Sequence, residues 1–75
     1  MERYANRGGD SGVVAYAITP DSITVQFKDG WKYIYDSYRP GQHMVEHMQT
    51  LARAGHGLNS YISTTVKKNF ARKTR

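Results

Sequence analysis

His43, Glu46 and His47, in the stretch HMVEH, carry the H-x-x-E-H spacing of one class of zinc hydrolase. On a helix, two imidazoles four residues apart can share a metal, and the intervening Glu can act as a general base. A working site also needs a third ligand, and His56 is the sole remaining histidine. Met44 and Met48 mark the buried stripe of the same helix, so His43 and His47 are expected in solvent and no metal is expected. The chain has no cysteine, which excludes disulfides and thiolate zinc sites. A second stretch, AGHGLNS, puts Gly55, His56 and Gly57 just before a helix start, where free backbone N–H groups can contact a phosphate. The alternative is that Gly55 stops one helix and Gly57 permits the turn into the next. No Lys-Ser/Thr pair follows, so this is not a Walker-type loop. Asp29 belongs to a turn, while Asp10, Asp21 and Asp36 are spread singly. With no carboxylate pair and no nucleophile elbow, catalysis and a cofactor are not expected.

Charge gives a further candidate. The formal net charge is +5, and Lys67, Lys68, Arg72, Lys73 and Arg75 crowd into the last nine positions. Such a segment attracts nucleic acid through counterion release without reading sequence; it can equally be a solvated tail. Lys67 and Lys68 also complement the dipole at a helix C-terminus. Tyr61, one position off the apolar stripe, is placed to stack one base beside them, and Lys32, outward on its strand, can join the same surface.

The elements that must position these groups are short. Seventy-five residues make one small domain with little room for a deep cleft. Residues 1–12, with Gly8, Gly9 and Gly12, read as a mobile N-terminal arm, residues 13–71 as the domain and 72–75 as a basic tail. The expected fold is α+β: a three-stranded antiparallel meander (13–19, 22–28, 31–37) against a helix over 42–54, then a C-terminal helix over 58–70. Pro20 and Asp21 suit a first turn, pairing Ile18 with Ile23, Tyr16 with Val25 and Val14 with Phe27. In the second turn, KDG, loop length decides the fate of three aromatics. A two-residue turn leaves Trp31, Tyr33 and Tyr35 as an exposed ladder of the kind that stacks bases. A three-residue loop with Gly30 left-handed pairs Val25 with Tyr33 and Ile23 with Tyr35, and buries all three. Leaving those rings in water forfeits roughly 2 kcal/mol each, which favours the buried register. Met44, Val45, Met48, Leu51 and Ala52 form the apolar stripe of the first helix, and Gly55 is its stop. Leu58, Ile62, Val66 and Phe70 give the second its four-residue spacing, although its Thr-rich middle also suits a strand.

Phe27, Asp29, Gly30, Tyr33 and Tyr35, in the order F-x-D-G-x-x-Y-x-Y, are followed by a helix and then by Gly57 to Ile62, GLNSYI. This arrangement resembles the KTSC family, a small domain found at the C-terminus of some lysyl-tRNA synthetases and alone in bacterial proteins. The resemblance spans about residues 13–70, with Tyr33, Tyr35 and Asn59 as its markers. It implies a small α+β domain with no catalytic residues, for which the synthetase fusion suggests RNA binding. The PGQHMVEHM stretch departs from the family pattern, leaving the joint from sheet to helix undefined.

These readings converge on a soluble, cytoplasmic, non-catalytic module that binds nucleic acid, RNA rather than DNA, through its basic C-terminal segment. The rival is a protein-interaction module using the outward Ala15, Ala17 and Ile34 or a free sheet edge. No apolar run approaches membrane-spanning length, so no membrane partner is expected.

Overall fold

A computed structural model describes residues 1–9 and 11–75. The described residues form β1 (Glu2–Arg3), β2 (Val13–Thr19), β3 (Ser22–Phe27), β4 (Lys32–Asp36), α1 (Gln42–Ala54), α2 (Leu58–Tyr61), a π-helical turn (Ile62–Val66) and β5 (Arg72–Thr74). The fold is α+β, with the strands in one antiparallel sheet of order β1-β2-β3-β4-β5. The expected three-stranded meander is the centre of this sheet, and each end of the chain adds an edge strand. No helix is long and apolar enough to cross a membrane among the described residues.

The second turn takes the three-residue form. Phe27 and Trp31 are joined by an N–H···O bond of 2.9 Å, Gly30 sits at φ 91°, and Val25 pairs with Tyr33 and Ile23 with Tyr35. Tyr35 is consequently 1 % exposed, while Tyr33 and Trp31 are half-buried. The first hairpin departs from expectation at its far end. Val13, not Val14, pairs with Phe27, because a bulge between Val13 and Ala15 inserts one extra residue. Val13 is thereby buried and Val14 exposed. The freed Val14 carbonyl accepts the Tyr4 N–H at 3.0 Å, which ties the N-terminal segment to the sheet.

The N-terminal twelve residues therefore do more than the arm envisaged from composition. Tyr4 is 4 % exposed in the core, and its hydroxyl accepts the Leu58 N–H at 3.2 Å. The Arg7 N–H donates to the Gly55 carbonyl at 2.8 Å, and Arg7 Nε to the Ala54 carbonyl at 2.9 Å. Gly55 ends α1 at φ 71° and lies so close to Ala5 that an added Cβ would overlap the Ala5 methyl.

The expected helix over 58–70 is also corrected. Regular α geometry covers Leu58–Tyr61, widens into the π turn and stops at Lys67, whose φ of 54° no helix accommodates. Ser63 Oγ and Thr64 Oγ1 donate back to the Asn59 and Ser60 carbonyls at 2.9 and 2.8 Å. Such back-bonding loosens the backbone ladder and favours a wider turn. The wider turn keeps Leu58, Ile62 and Val66 on the core side. Two tight turns follow, and an N–H···O bond of 2.8 Å from Ala71 to Ile34 delivers the chain to β4. Residues 72–74, read as a tail, are the strand β5.

Between sheet and helices, Tyr16, Ile23, Val25 and Tyr35 meet Val45, Met48, Ala52, Leu58, Ile62 and Val66. Gln49 is buried in this layer and donates to the Thr19 and Ser22 carbonyls at 2.9 Å each, so α1 is clipped to the first turn. At the joint left undefined by sequence, Asp36 Oδ1 accepts the Tyr38 and Arg39 N–H groups at 3.0 and 2.9 Å. The Gly41 N–H then reaches the Asp36 carbonyl at 3.1 Å, immediately ahead of α1.

Candidate nucleic-acid interface

β5 lies against β4 with Lys73 opposite Tyr33, so strand alternation puts Lys73 on the helix-bearing side of the sheet. Its ammonium stands 5.0 Å from the Trp31 ring centroid and 6.0 Å from that of Tyr33. Arg75, two residues on and therefore on the same side, places its guanidinium carbon 5.1 Å from the Trp31 centroid. Below this edge opens a groove of about 440 Å³ whose aromatic lining is Phe27, Tyr33, Tyr35 and Phe70. Ile62 also lines it, and Lys67, Lys68, Lys73 and Asp29 stand around it.

The rings are held by one another. Phe27 meets Tyr33 edge to face at 5.3 Å and 88°, and Tyr33 meets Phe70 at 4.9 Å and 81°. Tyr35 completes the set against Phe70 at 6.4 Å and 87°. Such pairs fix ring orientation as well as adding stability. Burial, and then the neighbouring Tyr33, push the Tyr35 hydroxyl up to about 12. It therefore stays a neutral hydroxyl in the groove wall at physiological pH. Lys67 sits where the π turn breaks, with a positive φ that costs a non-glycine residue about 1–3 kcal/mol. π turns and strained residues recur at functional sites, and here both adjoin the groove.

Of the sequence candidates, Lys67, Lys68 and Lys73 come together at the groove, with Arg75 at its rim. The markers Tyr33 and Tyr35 line it as well. Lys32 and Arg72 do not join them. Lys32 pairs with Gln26 and Arg72 with Ile34, so both project from the opposite side of the sheet. Tyr61 turns away onto α1, with its ring 4.5 Å from that of His47. Phe27 and Phe70 line this groove although burial arguments assigned them to the core alone, and Trp31 stands beside it beneath Lys73. Their signal in the sequence was proximity to the turn and to the terminal cations, which becomes meaningful once β5 is known to pair with β4.

Two of the three amides offered for phosphate contact by Gly55, His56 and Gly57, those of Gly55 and His56, are engaged within the chain. The Gly55 N–H bonds the Leu51 and Ala52 carbonyls, the His56 N–H reaches the Leu51 carbonyl at 3.4 Å, and the Leu58 N–H is held by Tyr4. These amides close α1 and seat the N-terminal segment. His56, Gly57 and Asn59 instead line a separate cleft of about 560 Å³, together with Tyr4, Asn6, Ser11, Ser60 and Ser63. No Lys or Arg lines that cleft among the described residues.

His43, Glu46 and His47 are all exposed on α1, and Glu46 accepts Gln42 Nε2 at 2.9 Å. Among the described residues, no three His, Asp or Glu side chains come together in a way that would hold a metal. Asp10 lies outside the described residues. No protein-family model, curated protein or solved structure matches the chain.

Proposed function

We propose that the chain is a small, non-catalytic nucleic-acid-binding module, acting in the cytoplasm and favouring single-stranded RNA over DNA, with the groove at the β4–β5 edge as its contact surface. The carrying observation is the placement of Lys73 over Trp31 and Tyr33 while Lys67 and Lys68 border the same aromatic groove. Cations spaced along an aromatic wall suit a flexible strand, whose phosphates pair with the lysines and whose bases stack. The KTSC resemblance is part of the proposal: its two tyrosines, Tyr33 and Tyr35, stand in this groove. The preference for RNA derives from that resemblance.

The test is an amide NMR titration with a short single-stranded RNA at low and near-physiological salt. Shifts at Trp31, Tyr33, Lys67, Lys68 and Lys73 that persist at the higher salt are the expected result. Shifts confined to Arg75 and its neighbours, and present at low salt alone, would sink the reading.

A second reading, a protein-interaction module, draws on the sheet face that no helix covers among the described residues, where Ala15, Ala17 and Ile34 are half-buried. Strand addition is the weaker form of this reading, since the edge strands β1 and β5 are two and three residues long and charged. A dimer in light scattering that withstands salt would favour the second reading over the first.

A further inference from the structure

Asp29 is the one acidic side chain lining the groove among the described residues. A carboxylate beside Lys67, Lys68 and Lys73 weakens the field that draws a phosphate, so a surface serving the backbone alone gains nothing from it. The turn does not require the charge either. Asp29 Oδ1 accepts the Trp31 N–H at 3.0 Å, a bond that an Asn side chain makes equally well. The second carboxylate oxygen has no hydrogen-bond partner among the described residues, and Asp29 is exposed.

A carboxylate is an acceptor, and it reads a group that presents donors. Of the four bases, guanine alone presents two adjacent donors, N1–H and the N2 amino group, on its Watson–Crick edge. Adenine, cytosine and uracil each offer one. That edge is accessible in an unpaired nucleotide and closed in a duplex.

Trp31 supplies the stacking surface. Its ring is now occupied by Lys73 at 5.0 Å and Arg75 at 5.1 Å. An exposed cation–π contact is a weak one, because water competes for the cation. A base stacked on an indole ring is held more strongly than an exposed cation, so the exchange is favourable. It also releases Lys73 toward the phosphate that arrives with the base.

We propose that the Asp29 end of the groove is a guanine site: one unpaired guanine stacks on Trp31 in place of Lys73 and donates N1–H and N2–H to the Asp29 carboxylate. This rests on the nucleic-acid reading and narrows it to one base.

The experiment is fluorescence anisotropy of the full chain with the RNA pentamers UUGUU, UUAUU, UUCUU, UUUUU and the inosine form UUIUU, alongside quenching of Trp31, the single tryptophan. UUGUU is expected to bind at least about fivefold more tightly than the other three natural pentamers, the lower end of discrimination by a two-bond base contact. UUIUU, which lacks the amino group, is expected between UUGUU and UUAUU, and Trp31 fluorescence falls on binding. Asp29→Asn keeps an acceptor for the Trp31 N–H but turns an amide NH2 toward the base, so it should abolish the preference for guanine. Equal affinity for the four natural pentamers would overturn the guanine site and leave the nucleic-acid module standing, and so would a preference that survives in Asp29→Asn. Absence of binding to any pentamer at low salt would remove both. The inosine comparison uses the unaltered protein and decides the matter even if the substitution disturbs the turn.

Discussion

The groove and the polar cleft share a wall, yet they are chemically unlike. The segment from Leu58 to Lys68 gives Asn59, Ser60 and Ser63 to the cleft and Ile62, Lys67 and Lys68 to the groove. The cleft is closed by the N-terminal segment through Tyr4, Asn6 and Ser11. The groove is closed by the C-terminal strand, which brings Lys73. One segment thus borders two hollows, the cleft faced by N-terminal residues and the groove by Phe27, Tyr33, Tyr35 and Lys73, and those facing residues decide which hollow attracts an anion. A hollow with no Lys or Arg among its described lining residues offers hydrogen bonds but little field to draw a strand from solution.

The strongest challenge to this contrast is to remove the charge from one hollow and the polarity from the other. Replacing Lys67, Lys68 and Lys73 together by Gln should weaken binding to a short single-stranded RNA by about a hundredfold at low salt. It should also flatten the dependence of log K on log salt by about 2, since each lost phosphate contact on a single strand removes about 0.7. The triple replacement Asn59→Ala, Ser60→Ala and Ser63→Ala should leave both quantities unchanged in anisotropy titrations. Equal losses in the two sets would erase the distinction.

The next test concerns how the cleft is held shut. Gly55→Ala must place a methyl against Ala5 at a backbone angle of φ 71° that favours glycine. A loss of at least about 1–2 kcal/mol in urea unfolding is expected, with amide shifts along residues 4–7. Smaller again is Tyr4→Phe, which leaves the buried Leu58 N–H without its 3.2 Å acceptor. That change should cost about 1 kcal/mol and leave RNA affinity intact, because Tyr4 belongs to the cleft. A fall in affinity that tracks the fall in stability would join the two hollows into one site.

The finest test uses proton binding in the groove wall. The Tyr35 hydroxyl is pushed up to about 12 in the folded protein, whereas an unfolded tyrosine titrates near 10. The folded state therefore holds this proton more tightly. The contribution to stability is complete below about pH 10 and is lost as pH rises through about 10 to 12. Tyr35→Phe should unfold in urea much as the parent does at pH 7, and should lose less stability between pH 9 and 11.5. Identical alkaline profiles for the two proteins would show that Tyr35 is not the group responsible.

Much of this contrast is legible in the sequence. Alternation along Ile23, Val25, Tyr33 and Tyr35 specified a buried face, and the cost of leaving three rings in water chose the loop length that sets it, so the central hairpins followed from local chemistry. The clustering of Lys67, Lys68 and Lys73 was equally visible. The pairing of residues 72–74 with β4 was not visible, because a three-residue charged strand carries no hydrophobic period and depends on partners forty positions away. For the same reason Lys32 and Lys73, both basic and both on strands, could not be assigned to opposite faces until the register was known. The bulge at Val14 escaped because Val13 and Val14 are interchangeable in pattern. What chooses between them is the Val14 carbonyl, which bonds Tyr4 from a segment whose glycines suggested mobility. The end of the second helix escaped because Ser63 and Thr64 act through their hydroxyls, which an apolar period does not register.

The sheet order carries a practical consequence. β1 and β5 hold its two outer positions, four strand spacings apart, or about 19 Å across the sheet. A protein anchored to a sensor surface through its N-terminus presents the groove to the solution. Anchored through its C-terminus, it is tethered within two residues of Lys73, and the linker competes with any ligand approaching Trp31. Affinities measured in the two orientations should therefore differ for ligands of the groove and agree for ligands of the uncovered sheet face, which turns the choice of anchor into a footprint.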